Sequence, residues 1–161
     1  MSKILVITGA SRGIGNALVQ LASAYGHHVY ALSRNISSIK KTAQVDPIEI
    51  DISDENTLSV FLDQLQKEEV KIDVLINNAG VLINKPFAET TAKDFELLYR
   101  VNVFGLASLT RILIPQIDPK GHVVNISSIG GIDGSLKFPG LAAYSSSKGA
   151  VNILTELLAE E

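Results

Sequence analysis

The chain has no cysteine among its 161 residues. It can therefore form neither a disulfide framework nor a thiolate metal site, which fits a reducing cytosol. It also has little net charge: 14 basic against 17 acidic residues leave -3 at pH 7. That balance argues against a nucleic-acid or anionic-membrane partner. No apolar run approaches the roughly 18 residues needed to cross a bilayer. Met1-Ser2-Lys3 runs straight into an apolar strand without a small-residue cleavage site, so no signal peptide is visible. Internal repeats, low-complexity tracts and linkers are missing. These absences predict a soluble, cytoplasmic, single-domain protein that uses no metal.

What is present is an alternation. Hydrophobic residues make up 46% and charged residues 19%, an ordinary globular balance. Lys3 to Thr8 is a short apolar run of the kind found in buried parallel strands. Ile14, Ala17, Leu18, Leu21 and Ala22 recur at helical spacing, with Gly26 as a stop signal. His28 to Ser33 reads as a second strand. Val45 to Ile50 reads as a third, predicted to start at or after Pro47 because proline cannot donate to a ladder. Ser53, with Asp54 or Asn56, can cap a helix running to about Glu69. Ile72 to Ile76 is a fourth strand, and a long helix from about Ala92 to Ile114 ends at Pro115. Gly121 to Ile126 is a fifth strand, and Ala143 onward is a helix. The pattern predicts an α/β fold: a doubly wound parallel sheet with helices on both faces. The long loops Asn77 to Thr91 and Ser127 to Ala142 follow strands at their carboxyl ends, where open sheets bind ligands.

Between the first strand and the first helix lies Thr8-Gly9-Ala10-Ser11-Arg12-Gly13-Ile14-Gly15. Gly9 suits the tight exit from the strand, Gly13 lets backbone approach a pyrophosphate, and Gly15 lets helix and strand pack closely. The helix N-terminus adds free N–H groups and positive potential. This context predicts a Rossmann-type site for the pyrophosphate of a nicotinamide dinucleotide, within one domain over residues 1–161. An NAD site usually has Asp or Glu at the end of the second strand, to bond the ribose 2′-hydroxyl. Here the sequence reads Ser33-Arg34-Asn35, with no acid. Arg34 and Arg12 are planar cations suited to a 2′-phosphate, which favours NADP(H) over NAD(H).

With these residues in view, the chain resembles the short-chain dehydrogenase/reductase family. The glycine turn has that family's TGxxxGxG form. Asp51-Ile52 resembles its adenine-contacting aspartate segment, and Asn77-Asn78-Ala79-Gly80 its NNAG segment beside the adenine ribose. Asn102 in Val101-Asn102-Val103 matches its helix asparagine, Ser128 its catalytic serine, and Tyr144-Ser145-Ser146-Ser147-Lys148 its YxxxK pair. The matches run through the whole chain in the family's order. The Ser128–Tyr144 loop is a few residues longer than the commonest family pattern, which bears on the shape of the substrate pocket. The resemblance also implies two further strands, a Pro-Gly segment and a lid beyond Glu161. The C-terminal strands are missing, so the expectation is an incomplete domain whose sheet ends on the fifth strand.

The resemblance assigns catalysis to Asn102, Ser128, Tyr144 and Lys148. Carbonyl–alcohol interconversion needs a hydride, which the nicotinamide carries, and a proton, which the protein moves. Tyr144 is the candidate acid/base, and its unperturbed pKa of about 10 is too high for work near neutrality. Lys148 lies one helical turn on, and its charge favours the phenolate. In the family this lysine also bonds the nicotinamide ribose. Ser128 can donate a hydrogen bond to the substrate oxygen as charge develops there. Asn102 lies on the apolar face of its helix, so its amide needs partners. It either holds a proton-relaying water near Lys148, as in the family, or makes a structural bond. Ile132, Leu136, Phe138, Pro139 and Leu141 either line a pocket for a hydrophobic carbonyl compound or pack within the fold. His27, His28 and His122 receive no ligand role.

The leading expectation is an NADP(H)-dependent oxidoreductase of the short-chain type acting on a small-molecule carbonyl or alcohol. The alternatives are a non-catalytic dinucleotide sensor or scaffold, and a folded but inactive truncated form. The resemblance further implies a homodimer or homotetramer, built on the long helix ending at Ile114 and the helix from Tyr144 onward.

Overall fold

The structure, a computed structural model, describes residues 2–161. Five strands form one parallel sheet: β1 (Ile4–Thr8), β2 (His28–Ser33), β3 (Val45–Glu49), β4 (Ile72–Asn77) and β5 (Ile117–Asn125), in the order β3-β2-β1-β4-β5. The helices are α1 (Gly13–Ala24), α2 (Glu55–Lys67), α3 (Ala92–Tyr99), α4 (Leu106–Leu113) and α5 (Ala142–Glu160). The expected doubly wound α/β architecture is present.

The central strands are apolar on both faces because both are covered. Val6, Tyr30 and Leu32 turn to one side and pack with Leu58, Phe61 and Leu65 of α2 and Leu109 and Leu113 of α4. Leu5, Ile7, Val29 and Ala31 turn to the other and meet Val19 and Ala22 of α1. The continuous apolar run of β1 is this two-sided burial written in sequence. Strand order reverses at β1, between β2 and β4, and the cleft at their carboxyl ends is where the glycine turn sits.

Three boundaries differ from the sequence expectation. β3 begins at Val45 and carries Pro47 inside it, opposite Ala31. The proline is tolerated because β3 is an edge strand with only one neighbour. β5 begins at Ile117 instead of Gly121, and its register against β4 shifts between Ile72 and Val74. Pro119 and Lys120 fall before the expected start at Gly121, yet the irregularity absorbs them.

The expected single helix from Ala92 to Ile114 is α3 and α4 joined by a π-helical turn over Arg100–Gly105. The α-helix ends at Leu113, just before Pro115 as expected, and the proline lies in the 3-10 turn Ile114–Gln116 that follows. By length and composition Ala92–Gln116 could cross a bilayer, with a mean hydropathy of 1.4 over its most apolar window. That corrects the expectation that no stretch approaches this length. The cause of the apolarity is visible in the packing: Leu98, Leu106, Leu109 and Leu113 are buried in the fold.

Candidate active site

The glycine turn is built by close approach. A Cβ at Gly15 would lie 2.3 Å from the carbonyl oxygen of Gly9, so no side chain fits there. Gly13 has a φ of 55° and open space where a Cβ would point. Arg12 is the extended residue preceding α1, whose free N–H groups face the cleft end of the sheet. These features fit a pyrophosphate.

The turn is anchored by a residue to which the sequence assigned no role of its own. Thr8 Oγ1, buried at the end of β1, accepts from the backbone N–H groups of Asn78 and Ala79, both at 2.9 Å. Asn78 Nδ2 in turn donates to Thr8 O at 2.9 Å and Gly9 O at 3.3 Å. The NNAG segment thus braces the glycine turn. Its first asparagine, Asn77, points instead into the core and donates to Thr110 Oγ1 and Asn125 Oδ1. Thr8 was legible as the first residue of the turn but not as its anchor, because its partners lie about seventy residues away.

The resulting cleft has a volume of about 290 Å³. It brings together Gly9, Ser11, Arg12, Gly13, Ile14, Arg34, Asp51, Ile52, Asn78, Ala79 and Gly80, and adds Ser33, Val81 and Val101. Gly15 lies beneath it, buried against the turn. Arg12 and Arg34 are both exposed at its wall, with no acidic partner among the described residues. Ser38 Oγ donates to Ser11 O at 2.9 Å, lashing the segment after Arg34 to the glycine turn. This clamp also had no local sequence signal.

Ser128, Tyr144 and Lys148 lie outside that cleft, one step along the carboxyl edge of the sheet. Gly80 is the hinge between the two regions: a Cβ there would stand 3.3 Å from Asn102 Oδ1 and 3.7 Å from Lys148 Nζ. Tyr144 and Lys148 are one turn apart on α5. Lys148 is 4% exposed, and its Nζ donates to Ile126 O at 2.7 Å. Burial pushes its pKa below the ordinary lysine value. Ser128 precedes the 3-10 turn Ile129–Gly131 and accepts from the Gly130 N–H.

Asn102 occupies the π-turn and is fully buried. Its Oδ1 accepts from Val81 N–H at 2.8 Å, and its Nδ2 donates to Val81 O and Ser147 Oγ, both at 3.0 Å. The side chain therefore ties the loop after β4 to α5. Ser147, one of the three serines between Tyr144 and Lys148, is one of its partners. The apolar loop residues Ile132, Leu136 and Phe138 are exposed, as are Leu82 and Phe87 on the facing loop. A bond from Lys85 N–H to Gly140 O joins these two loops. Of the histidines, His28 meets Asp46 at 3.2 Å, and His27 Nδ1 accepts from Lys3 N–H.

A parallel sheet with a glycine turn at its switch point and a Tyr–Lys pair beside it defines a Rossmann-like α/β fold. The family model for short chain dehydrogenases matches residues 3–161, and the chain belongs to that family. The chain is 34% identical over 161 residues to a 3-ketodihydrosphingosine reductase of Bacteroides thetaiotaomicron, covering 99% of this chain and 58% of that protein. It is 29% identical to a carbonyl reductase [NADPH] of Sus scrofa, covering 97% of this chain and 64% of the relative. Among solved structures, a short-chain dehydrogenase from Streptomyces avermitilis superposes with a TM-score of 0.89 at 36% identity, over 99% of this chain and 60% of that one. A short-chain dehydrogenase/reductase from Burkholderia phymatum in complex with NAD gives a TM-score of 0.86 at 29% identity, over 98% and 59%. The chain thus spans about three fifths of the length of these proteins.

Proposed function

We propose that this protein interconverts a carbonyl compound and an alcohol, using NADP(H), with Tyr144 as the acid/base. One observation carries the reading. Lys148 is a buried ammonium with no carboxylate partner among the described residues, one turn from a tyrosine and beside the cleft. Burying an unpaired charge is unfavourable by several kcal/mol in order of magnitude, so its position calls for a use.

In the direction of reduction, a nicotinamide dinucleotide held by the glycine turn would supply the hydride, with its two electrons, for the carbonyl carbon. The carbon–oxygen π pair moves to the oxygen, which takes the phenolic proton of Tyr144. Ser128 donates a hydrogen bond to that oxygen as it becomes negative. The Lys148 ammonium favours the phenolate left behind. Asn102 holds α5 and the loop after β4 in fixed relation, so that Lys148 and Gly80 stay together.

NADP(H) is favoured over NAD(H) because Arg12 and Arg34 both line the cleft and β2 ends in Ser33 without an acid. The exposed apolar residues on the two loops beside Ser128 support a hydrophobic substrate. Exposed Leu97, Phe104, Ile153 and Leu157 on the α3–α4 stretch and α5 support pairing of these helices with a second copy. A sensor without turnover is the second reading, favoured because the cleft is lined from the glycine-turn side and by none of Ser128, Tyr144 and Lys148.

The test is kinetic. In the natural gene product, NADPH and a panel containing diacetyl and cyclopentanone should give oxidation of the reduced nicotinamide. Tyr144→Phe should abolish this with cofactor binding retained. Arg34→Asp should weaken NADPH far more than NADH. Tight NADPH binding with no turnover on any carbonyl establishes the sensor, and equal weakening of both cofactors overturns the NADP(H) assignment.

A further inference from the structure

We propose that Ser135 and Lys137 are positioning residues for the Ser128 hydroxyl, linked to it by a directed chain of hydrogen bonds. The proposal rests on the reading that Ser128 bonds the substrate oxygen. Lys137 belongs to the exposed loop between Ser128 and Tyr144, where an ammonium would ordinarily extend into water. Here it folds back. Its Nζ donates to Gly130 O at 3.0 Å, to Ile132 O, and to Ser135 Oγ at 3.0 Å. All three of its protons therefore have an acceptor, and no carboxylate is among them.

Ser135 passes the connection on. Its Oγ accepts from Lys137, and its own proton goes to Ile129 O and Ile132 O. The Ile129 carbonyl belongs to the same peptide unit as the Gly130 N–H, and that N–H donates to Ser128 Oγ at 3.4 Å. The direction is the same at each link: ammonium to Ser135, Ser135 to peptide carbonyl, peptide N–H to Ser128. Ser128 Oγ is an acceptor at the end of this chain, which leaves its own proton free for an acceptor outside the loop. Successive donation polarises each member of such a chain. A substrate oxygen gaining negative charge would then face a donor backed by a cation, preorganised before the reaction.

The turn that carries Ser128 is held on its other side as well. Asn152 Nδ2 donates to Gly131 O at 3.1 Å, and Ser127 Oγ donates to Lys148 O at 3.0 Å. A Cβ at Gly131 would lie 2.6 Å from the Lys148 and Gly149 backbone, so the turn rests directly on α5. With α5 as the fixed wall, Lys137 and Ser135 set how the outer carbonyls of the turn are oriented. In a loop whose other large side chains are apolar, this places one cation where it acts on Ser128 without meeting the substrate.

The experiment compares Ser128→Ala, Lys137→Met, Lys137→Arg, Ser135→Ala and the Ser135→Ala/Lys137→Met double variant, in the natural gene product with NADPH and diacetyl. Amide exchange at Gly130 is a second readout that needs no substrate. Ser128→Ala should lose kcat on the order of 100-fold, the scale for a direct oxyanion donor, and Lys137→Met about tenfold. The Lys137→Met loss should fall in kcat, with the KM for NADPH and the melting midpoint unchanged, and Lys137→Arg should restore most of it. Ser135→Ala should match Lys137→Met, and the double variant should be no worse than either, because both break one chain. Gly130 exchange should accelerate in both single variants. Wild-type kcat and Gly130 exchange in Lys137→Met, alongside an inactive Ser128→Ala, would overturn the inference alone. A loss carried in cofactor KM and melting midpoint would also overturn it, by showing loop collapse. Retained kcat in Ser128→Ala overturns the reading of Ser128 itself, and the chain with it.

Discussion

Replacing Asn102 by Asp exchanges one amide nitrogen for an oxygen and leaves the packing volume unchanged. In the native site Nδ2 donates to Val81 O and Ser147 Oγ, while Oδ1 accepts from Val81 N–H. After exchange the bond from Val81 N–H survives. The other oxygen faces Val81 O, which is only an acceptor. It also faces Ser147 Oγ, whose proton is already given to Tyr144 O at 2.7 Å. Two buried acceptors, Val81 O and Ser147 Oγ, lose their donor, worth about 1–3 kcal/mol between them, and an ionised carboxylate in a fully buried position adds to that. A total of roughly 2–4 kcal/mol lowers the melting midpoint by about 5–15 °C for a chain of this size. The sign with pH follows from the same geometry. Burial and the Val81 carbonyl raise the new carboxyl's pKa above its unfolded value of about 3.9, because only the protonated form can donate to Val81 O. The folded protein then holds a proton that the unfolded chain has released. The penalty is smallest in acid and grows as pH rises through the folded pKa. Thermal unfolding of wild type and Asn102→Asp from about pH 5 to pH 8 measures it, with Asn102→Leu as a control whose deficit should not vary. A deficit for Asn102→Asp that is absent, or constant across that range, refutes the three-bond account of this side chain.

Lys148→Met should raise the melting midpoint at pH 7 while abolishing turnover. The folded pKa of Lys148 lies below its unfolded value, so stability in wild type rises with pH through that interval, and the variant should lose this slope. A lower midpoint for Lys148→Met at pH 7 contradicts this. Asp94 closes the N-terminus of α3, accepting from the Thr91 N–H and hydroxyl and from Lys85 Nζ. These bonds hold its pKa at about 2, so its contribution is present above the ordinary carboxylate range and lost as pH falls toward 2. A carboxyl NMR titration with a midpoint near an unperturbed value of about 3.9 sinks that reading. Gly15→Ala places a Cβ 2.3 Å from the Gly9 carbonyl and should destabilise by about 1–3 kcal/mol while weakening cofactor binding. Unchanged calorimetric affinity would show that the turn can relax without moving the phosphates.

Most of the architecture was legible because its signals are local. Strand β1 announces itself by two-sided burial, and the glycine turn by three positions that tolerate no side chain or need an open face. What the sequence hid depends on neighbours far along the chain. Pro47 looks like a strand breaker until β3 is known to be an edge. The π-turn at Arg100–Gly105 keeps the apolar spacing of the surrounding helix, so nothing local separates it from a plain α-helix. Among site residues, Gly9 to Gly15 and the Tyr144–Lys148 pair carry their own spacing. Thr8, Ser38 and Ser147 do not, since each acts through a hydrogen bond to a distant backbone or side chain. Lys137 was hidden for a different reason: the composition of its loop suggested apolar lining, and a lone lysine there reads as surface charge.

The placement of β1 between β2 and β4 has a kinetic side. β1 and β2 pair across a short crossover, whereas β4 reaches β1 only after about seventy intervening residues. Closing that larger loop carries the greater entropic penalty and comes late in a folding sequence governed by contact distance. The bonds from Asn78 and Ala79 to Thr8, and from Ile4 N–H to Asp73, form only at that step. During synthesis the glycine turn therefore lacks its brace from Asn78 and Ala79 until β4 has left the ribosome, and until then only Ser38 and its own neighbours hold it.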